Sequence, residues 1–143
     1  MSAAAILRDL AGLCATSAKQ CTDAYFKLGP QPAEGPAANL WRLQRSRLQR
    51  QVSSLDALNI ELGAAAIASA LEEHAADLRA ISEASQEAQE QIKKIKDATE
   101  LLTKVARVIE LGSAIVAAAA LPNAATIAAA INAARTLLDP AEE

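Results

Sequence analysis

LGSAIVAAAALPNAATIAAAINAA, residues 111–134, carries no charged side chain and is interrupted at its middle by Pro122-Asn123. Charged residues are spread through the rest of the chain, so this run must be covered: by the protein's own core, by a partner, or by a membrane. Alanine in this density favours helix. Pro122 stops one helix and Asn123 is a good N-cap for the next, expected over 124–138. A short apolar helical hairpin is therefore expected at the C-terminal end.

Upstream, residues 64–111 contain neither Gly nor Pro. Leu78, Ile81, Ala88, Ile92, Ile95, Leu102 and Ile109 approximate a three-four repeat. Glu90–Lys94 and Glu100–Lys104 are i,i+4 pairs in the favourable orientation. One long helix over 64–121 is the reading favoured, although residues 64–111 alone would span roughly 70 Å. A bend near Ser82–Ser85 would instead fold it into two ordinary helices.

A first helix is expected over 2–28, where Ile6, Leu7, Leu10, Leu13, Cys14, Ala18, Cys21 and Tyr25 share one face. GPQPAEGP, residues 29–36, is the evident linker. A second helix over 37–62 starts beside Pro36, a residue suited to a first-turn position. Its apolar arc is Trp41, Leu48, Val52, Leu55 and Leu62. Ser53-x-x-Asp56 and Gly63 are candidate break points, so helices 37–62 and 64–121 are either separate or continuous. The fold class is all-α: an elongated bundle of about four helices with one long central helix and the apolar hairpin, in a single domain over 1–143.

The net charge of −3 conceals a segregation. Residues 1–50 carry seven Lys/Arg against three Asp/Glu, and residues 51–100 carry four against ten. A nucleic-acid-binding domain would usually be basic throughout. The segregation suits pairing of a basic helix with an acidic one, within the chain or between copies. At the N-terminus a basic leader is missing and Arg8-Asp9 interrupts the apolar stretch. The protein is expected to be cytoplasmic at synthesis, with export by a specialised route left open. The alanine content is of a kind associated with high-GC bacterial genomes.

Two surfaces are candidate sites. Ile115, Val116, Leu121, Ile127 and Ile131 would form an apolar docking face on the hairpin. LWRLQRSRLQR, residues 40–50, repeats RLQR, and Trp41 with Arg42, Arg45, Arg47 and Arg50 would form a basic surface able to meet phosphates or an anionic membrane. Catalytic and metal constellations do not emerge. The one histidine, His74, has Leu71 where the glutamate of a Glu-x-x-His iron ligand pair would stand. Cys14 and Cys21, roughly 10 Å apart along a helix, fall on its buried stripe and cannot bridge each other. Glycines are scattered, so phosphate-binding loops are missing. No cofactor or metal is expected.

In outline the hairpin resembles the apolar head of bacterial α-helical pore-forming toxins, which implies membrane insertion. Physical terms oppose this. Alanine gains little from lipid, each arm is about half the roughly 20 residues a span needs, and Asn123 and Asn132 are expensive in hydrocarbon. The leading expectation is a non-enzymatic helical module binding another protein or copies of itself, as an adaptor, secretion accessory, chaperone or immunity-type partner. A membrane-active toxin or translocation component inserting residues 111–134 is the alternative.

Overall fold

The computed structural model describes residues 1–139 and contains six α-helices: α1 (Ala3–Lys27), α2 (Pro36–Leu62), α3 (Ala65–Leu71), α4 (Arg79–Lys94), α5 (Ala98–Ala120) and α6 (Ala124–Leu138). A single 3-10 turn, Glu72–His74, follows α3, and no strand occurs among the described residues. The acidic end, residues 141–143, lies outside the described residues.

The all-α class is as expected, but the long central helix is corrected. Residues 64–121 form three α-helices, and the element that packs against most of the others is α1. A helix of that length would overrun α1 and α2, leaving much of its apolar stripe in water; folding back buries the stripe instead. The first break, over residues 72–78, lets the Glu72 carboxylate accept a hydrogen bond from the Ala3 amide at 2.9 Å. That places an anion at the positive end of α1. The second break, at residues 95–97, is marked by Asp97, whose side chain caps α5 by accepting from the Glu100 amide at 3.1 Å. Ser82 and Ser85 do not bend the chain: both are buried within α4, where Ser82 donates to the Asp9 carboxylate of α1. Ser53 likewise lies inside α2, while Gly63 is where α2 ends.

Five long helices close a ring in the order α1, α2, α5, α6, α4, and α3 packs on α1 and α5. The α1–α2 pair is antiparallel, joined by a loop in which Gly29 adopts φ 68°, a conformation that glycine supplies without strain. α1 and α4 run parallel: Asp9 faces Ser82 and Gln86, Thr16 faces Gln89, and Gln20 donates to the Ile92 carbonyl at 3.1 Å. One end of the bundle therefore carries the C-terminus of α1, the N-terminus of α2 and all three aromatic residues. The opposite end carries α3 and the turn of the α5–α6 hairpin.

Ile6, Leu10, Leu13, Leu48, Leu55, Leu71, Leu78, Ile81, Ile92, Leu111, Ile115 and Leu137 are the largest wholly buried side chains. Full burial of such a residue stabilises by about 1.5–3 kcal/mol. Small residues fill the spaces between. At Gly112 of α5, an added Cβ would lie 2.8 Å from Leu58 Cδ1 of α2, so glycine is what permits this approach. Gly112→Val should lower stability by about 1–3 kcal/mol through overpacking, read as a fall in the urea midpoint without change of slope. Ser17 and Ser85 are buried with unpaired hydroxyls, each carrying a desolvation penalty of about 1–3 kcal/mol. Ser17→Ala and Ser85→Ala should each raise the urea midpoint, and a fall in both would mean that the hydroxyls do find partners.

Candidate partner-binding groove between α2 and α5

On α2, Leu40, Leu43, Arg47, Arg50 and Ser54 follow three- and four-residue spacings and form one face. Opposite them on α5 stand Thr99, Leu102, Thr103, Ala106 and Glu110. The two rows line an open groove of about 700 Å³. Its geometry follows from how the helices meet. Near the hairpin end, Leu58 packs closely over Gly112. Along the groove, polar bridges replace apolar interdigitation: Gln51 Nε2 donates to the Leu102 carbonyl at 2.9 Å and Gln44 Nε2 to Thr99 Oγ1 at 3.4 Å.

Leu40 lies on the same side of α2 as the buried Leu55 and Leu58, but one turn before Gln44, where the pairing with α5 begins. It overhangs the start of α5 and is 53% exposed; Leu43, on the outer rim, is 47% exposed. These leucines are the functional candidates that the sequence reading passed over. A signal was present for Leu43, which falls outside the arc of Trp41, Leu48, Val52, Leu55 and Leu62, whereas Leu40 shares the side of Leu58.

The basic surface divides into two sets. Arg45 lies 5.3 Å from the Tyr25 ring centroid and 5.6 Å from that of Trp41, a cation–π arrangement. Trp41 Nε1 donates to the Gly29 carbonyl at 3.2 Å. Trp41 and Arg45 thus brace the α1–α2 corner. Arg42 donates to Asn39 Oδ1 at 2.6 Å. Arg50 makes a long contact, 3.4 Å, with Ser46 Oγ. Arg47 and Arg50 are the two exposed on the rim of the groove. Arg107, at its α5 edge, is engaged with the end of α6, donating to the Asp139 carbonyl at 2.7 Å.

The residues expected to form a docking face on the hairpin are mostly internal. Ile115 is wholly buried and Ile127 nearly so, Val116 and Ile131 are partly buried against the core, and Leu121 alone is exposed, at 64%. α6 packs on α4 and α5, which covers the isoleucines, while residues 120–125 at the turn are exposed. At the turn, Asn123 and Thr126 form a capping box, and Thr126 Oγ1 also donates to the Leu121 carbonyl at 2.7 Å.

Among the described residues, no group of three or more His, Cys, Asp or Glu side chains is placed to hold a metal ion. His74 sits in the 3-10 turn, half-buried. Lys104 is buried in α5 and donates to the Asp139 carbonyl at 3.1 Å. Desolvation, followed by repulsion from Arg107, lowers its pKa; Asp139, Glu87 and Glu100 oppose the shift. Burial pushes the thiols of Cys14 and Cys21 up to about 12, which opposes nucleophilic chemistry at neutral pH.

Compared with protein-family models, with curated proteins and with solved structures, the chain gives no significant match in any of the three. Among the described residues, no single helix is long and apolar enough to cross a membrane. α2 together with the segment Ala65–His74, bent by 68° at their junction, meets the length and composition required.

The thiols give a pH signature. Their folded pKa values lie above the unfolded value of 9.0, so the stability they contribute is complete below about pH 9. It is lost as pH rises towards about 12. Urea midpoints measured from pH 8 to 11 should fall more steeply for the natural protein than for the Cys14→Ala/Cys21→Ala variant. Equal slopes would show that the thiols are not shielded.

Proposed function

We propose that this protein is a non-enzymatic helical interaction module whose α2/α5 groove receives a segment of another protein. The observation that carries the reading is the exposure of Leu40 and Leu43 on one helix face with Arg47 and Arg50, above a groove otherwise bridged by glutamines. Apolar anchors with a charged rim are the usual anatomy of a binding surface. The role is that of an adaptor, secretion accessory, chaperone or immunity-type partner in a bacterial cell, synthesised in the cytoplasm. The buried thiols of Cys14 and Cys21, pushed up to about 12, supply little thiolate at neutral pH, which supports a binding role over cysteine-based catalysis.

The membrane-active reading would require α5 and α6 to leave the bundle, because Leu111, Ile115, Ala118, Ile127 and Ala130 are all buried against other elements. Each large apolar residue so withdrawn forfeits about 1.5–3 kcal/mol of burial. The bundle is therefore read as the working form.

A photo-crosslinking residue placed at position 43 in cells should give an adduct with one defined protein, whereas the same residue at position 121, on the other end of the bundle, should not. The adduct should disappear when Leu40→Asp is added, with circular dichroism unchanged. Ile127→Asp, by contrast, puts a carboxylate in the core and should cost about 3 kcal/mol or more, lowering helicity and adduct together. Equal adducts from positions 43 and 121 would remove the groove from the mechanism.

A further inference from the structure

We infer that the occupant of the α2/α5 groove is an acidic amphipathic helix from a different chain. The inference rests on the groove being the binding site and adds the chemistry of what fills it. Two helices line the groove side by side, and no strand edge occurs among the described residues to template an extended segment. From Leu40 to Ser54 the α2 wall is roughly 20 Å long, the length of a helix of about 13 residues. Leu40 and Leu43 offer the apolar contact to residues at i, i+3 or i+4, and i+7 of such a helix.

The charge on the rim selects the sign. Arg47 and Arg50 project beside the two leucines and no carboxylate among the described residues pairs with either; Glu110 stands on the α5 wall, level with the far end. Carboxylates along one flank of the incoming helix would meet those guanidinium groups. A second copy does not fit. An isologous contact through this face would bring Arg47 and Arg50 of both copies into one interface, where Glu110 is the one acidic residue each copy's groove lining supplies. The chain's own strongly amphipathic helix, α4, balances three acidic residues with three basic ones and already commits Ile81, Ala84, Ala88 and Ile92 to the core.

The probe is a labelled 13-residue peptide with leucines at i, i+3 and i+7 and glutamates along one flank, read by fluorescence anisotropy against the full chain. Its counterpart carries lysine at every glutamate. The glutamate peptide should bind with a dissociation constant below about 0.1 mM. Arg47→Glu/Arg50→Glu should weaken it at least about tenfold and transfer preference to the lysine peptide. Leu43→Asp, an exposed substitution, should abolish both. If both peptides bind the natural protein equally and Leu43→Asp abolishes both, the groove stands as a docking site and the acidic occupant is overturned. If neither peptide binds, the helical occupant is overturned. Flotation with vesicles of 4:1 phosphatidylcholine and phosphatidylglycerol is run alongside. Vesicle binding lost in Arg47→Glu/Arg50→Glu, without peptide binding, would overturn the inference in favour of an anionic lipid surface.

Discussion

The contact of α1 with its neighbours is the constraint on which the arrangement depends. Its buried stripe of Ile6, Leu7, Leu10, Leu13, Cys14, Ser17 and Cys21 is shared by α2 and α4, with α3 and α5 completing the cover. The stripe narrows from leucines near the N-terminus to Cys14, Ser17 and Cys21 further along. α4 answers with Ala84, Ser85 and Ala88. Small side chains bury little area each, so stability has to come from close helix approach along long interfaces. The same economy explains Gly112 under Leu58. It also explains why two serine hydroxyls are held without partners where a larger residue would force the helices apart.

The groove follows from that arrangement. α2 is set by its antiparallel pairing with α1 and by the α1–α2 corner, where Trp41, Tyr25 and Arg45 interlock. α5 is set by its capping residue, Asp97, and by the hairpin with α6. Nothing requires the two to begin at the same level, and they do not. The first turns of α2 run past the start of α5, leaving a leucine that belongs by spacing to the core face with no helix to cover it.

Much of this was legible beforehand, and the failures have particular causes. Helix α1, the loop after it, α2 and the Pro122-Asn123 break could be read from periodicity and from Gly, Pro and Asn. The interval 64–121 could not, because its breaks use neither Gly nor Pro. One is marked by Asp97-x-x-Glu100, a capping pattern hidden within a charged stretch. The other, at Glu72, depends on a contact with Ala3, which lies far away in sequence. Ser82 and Ser85 misled because serine in a helix is ambiguous: it can bend the backbone or pack closely against a neighbour, and only Asp9 and α1 decide. The larger apolar residues of the hairpin are covered within the chain, and periodicity cannot say whose side chains provide that cover. The five apolar residues chosen there proved largely internal, whereas the basic helix kept two arginines on a rim.

Gathering every aromatic side chain at one end of the bundle has a spectroscopic consequence. Trp41 is the single indole in the chain, half-buried, hydrogen-bonded to Gly29 and stacked with the Arg45 guanidinium. Its emission therefore reports on the corner from which the overhanging turn of α2 projects. The α5–α6 hairpin, at the opposite end, contains no chromophore beyond its amides. Fluorescence thus views one end of the molecule, whereas far-ultraviolet dichroism averages over the helices of the whole chain. Divergence between the two on titration or heating would reveal one end loosening before the other.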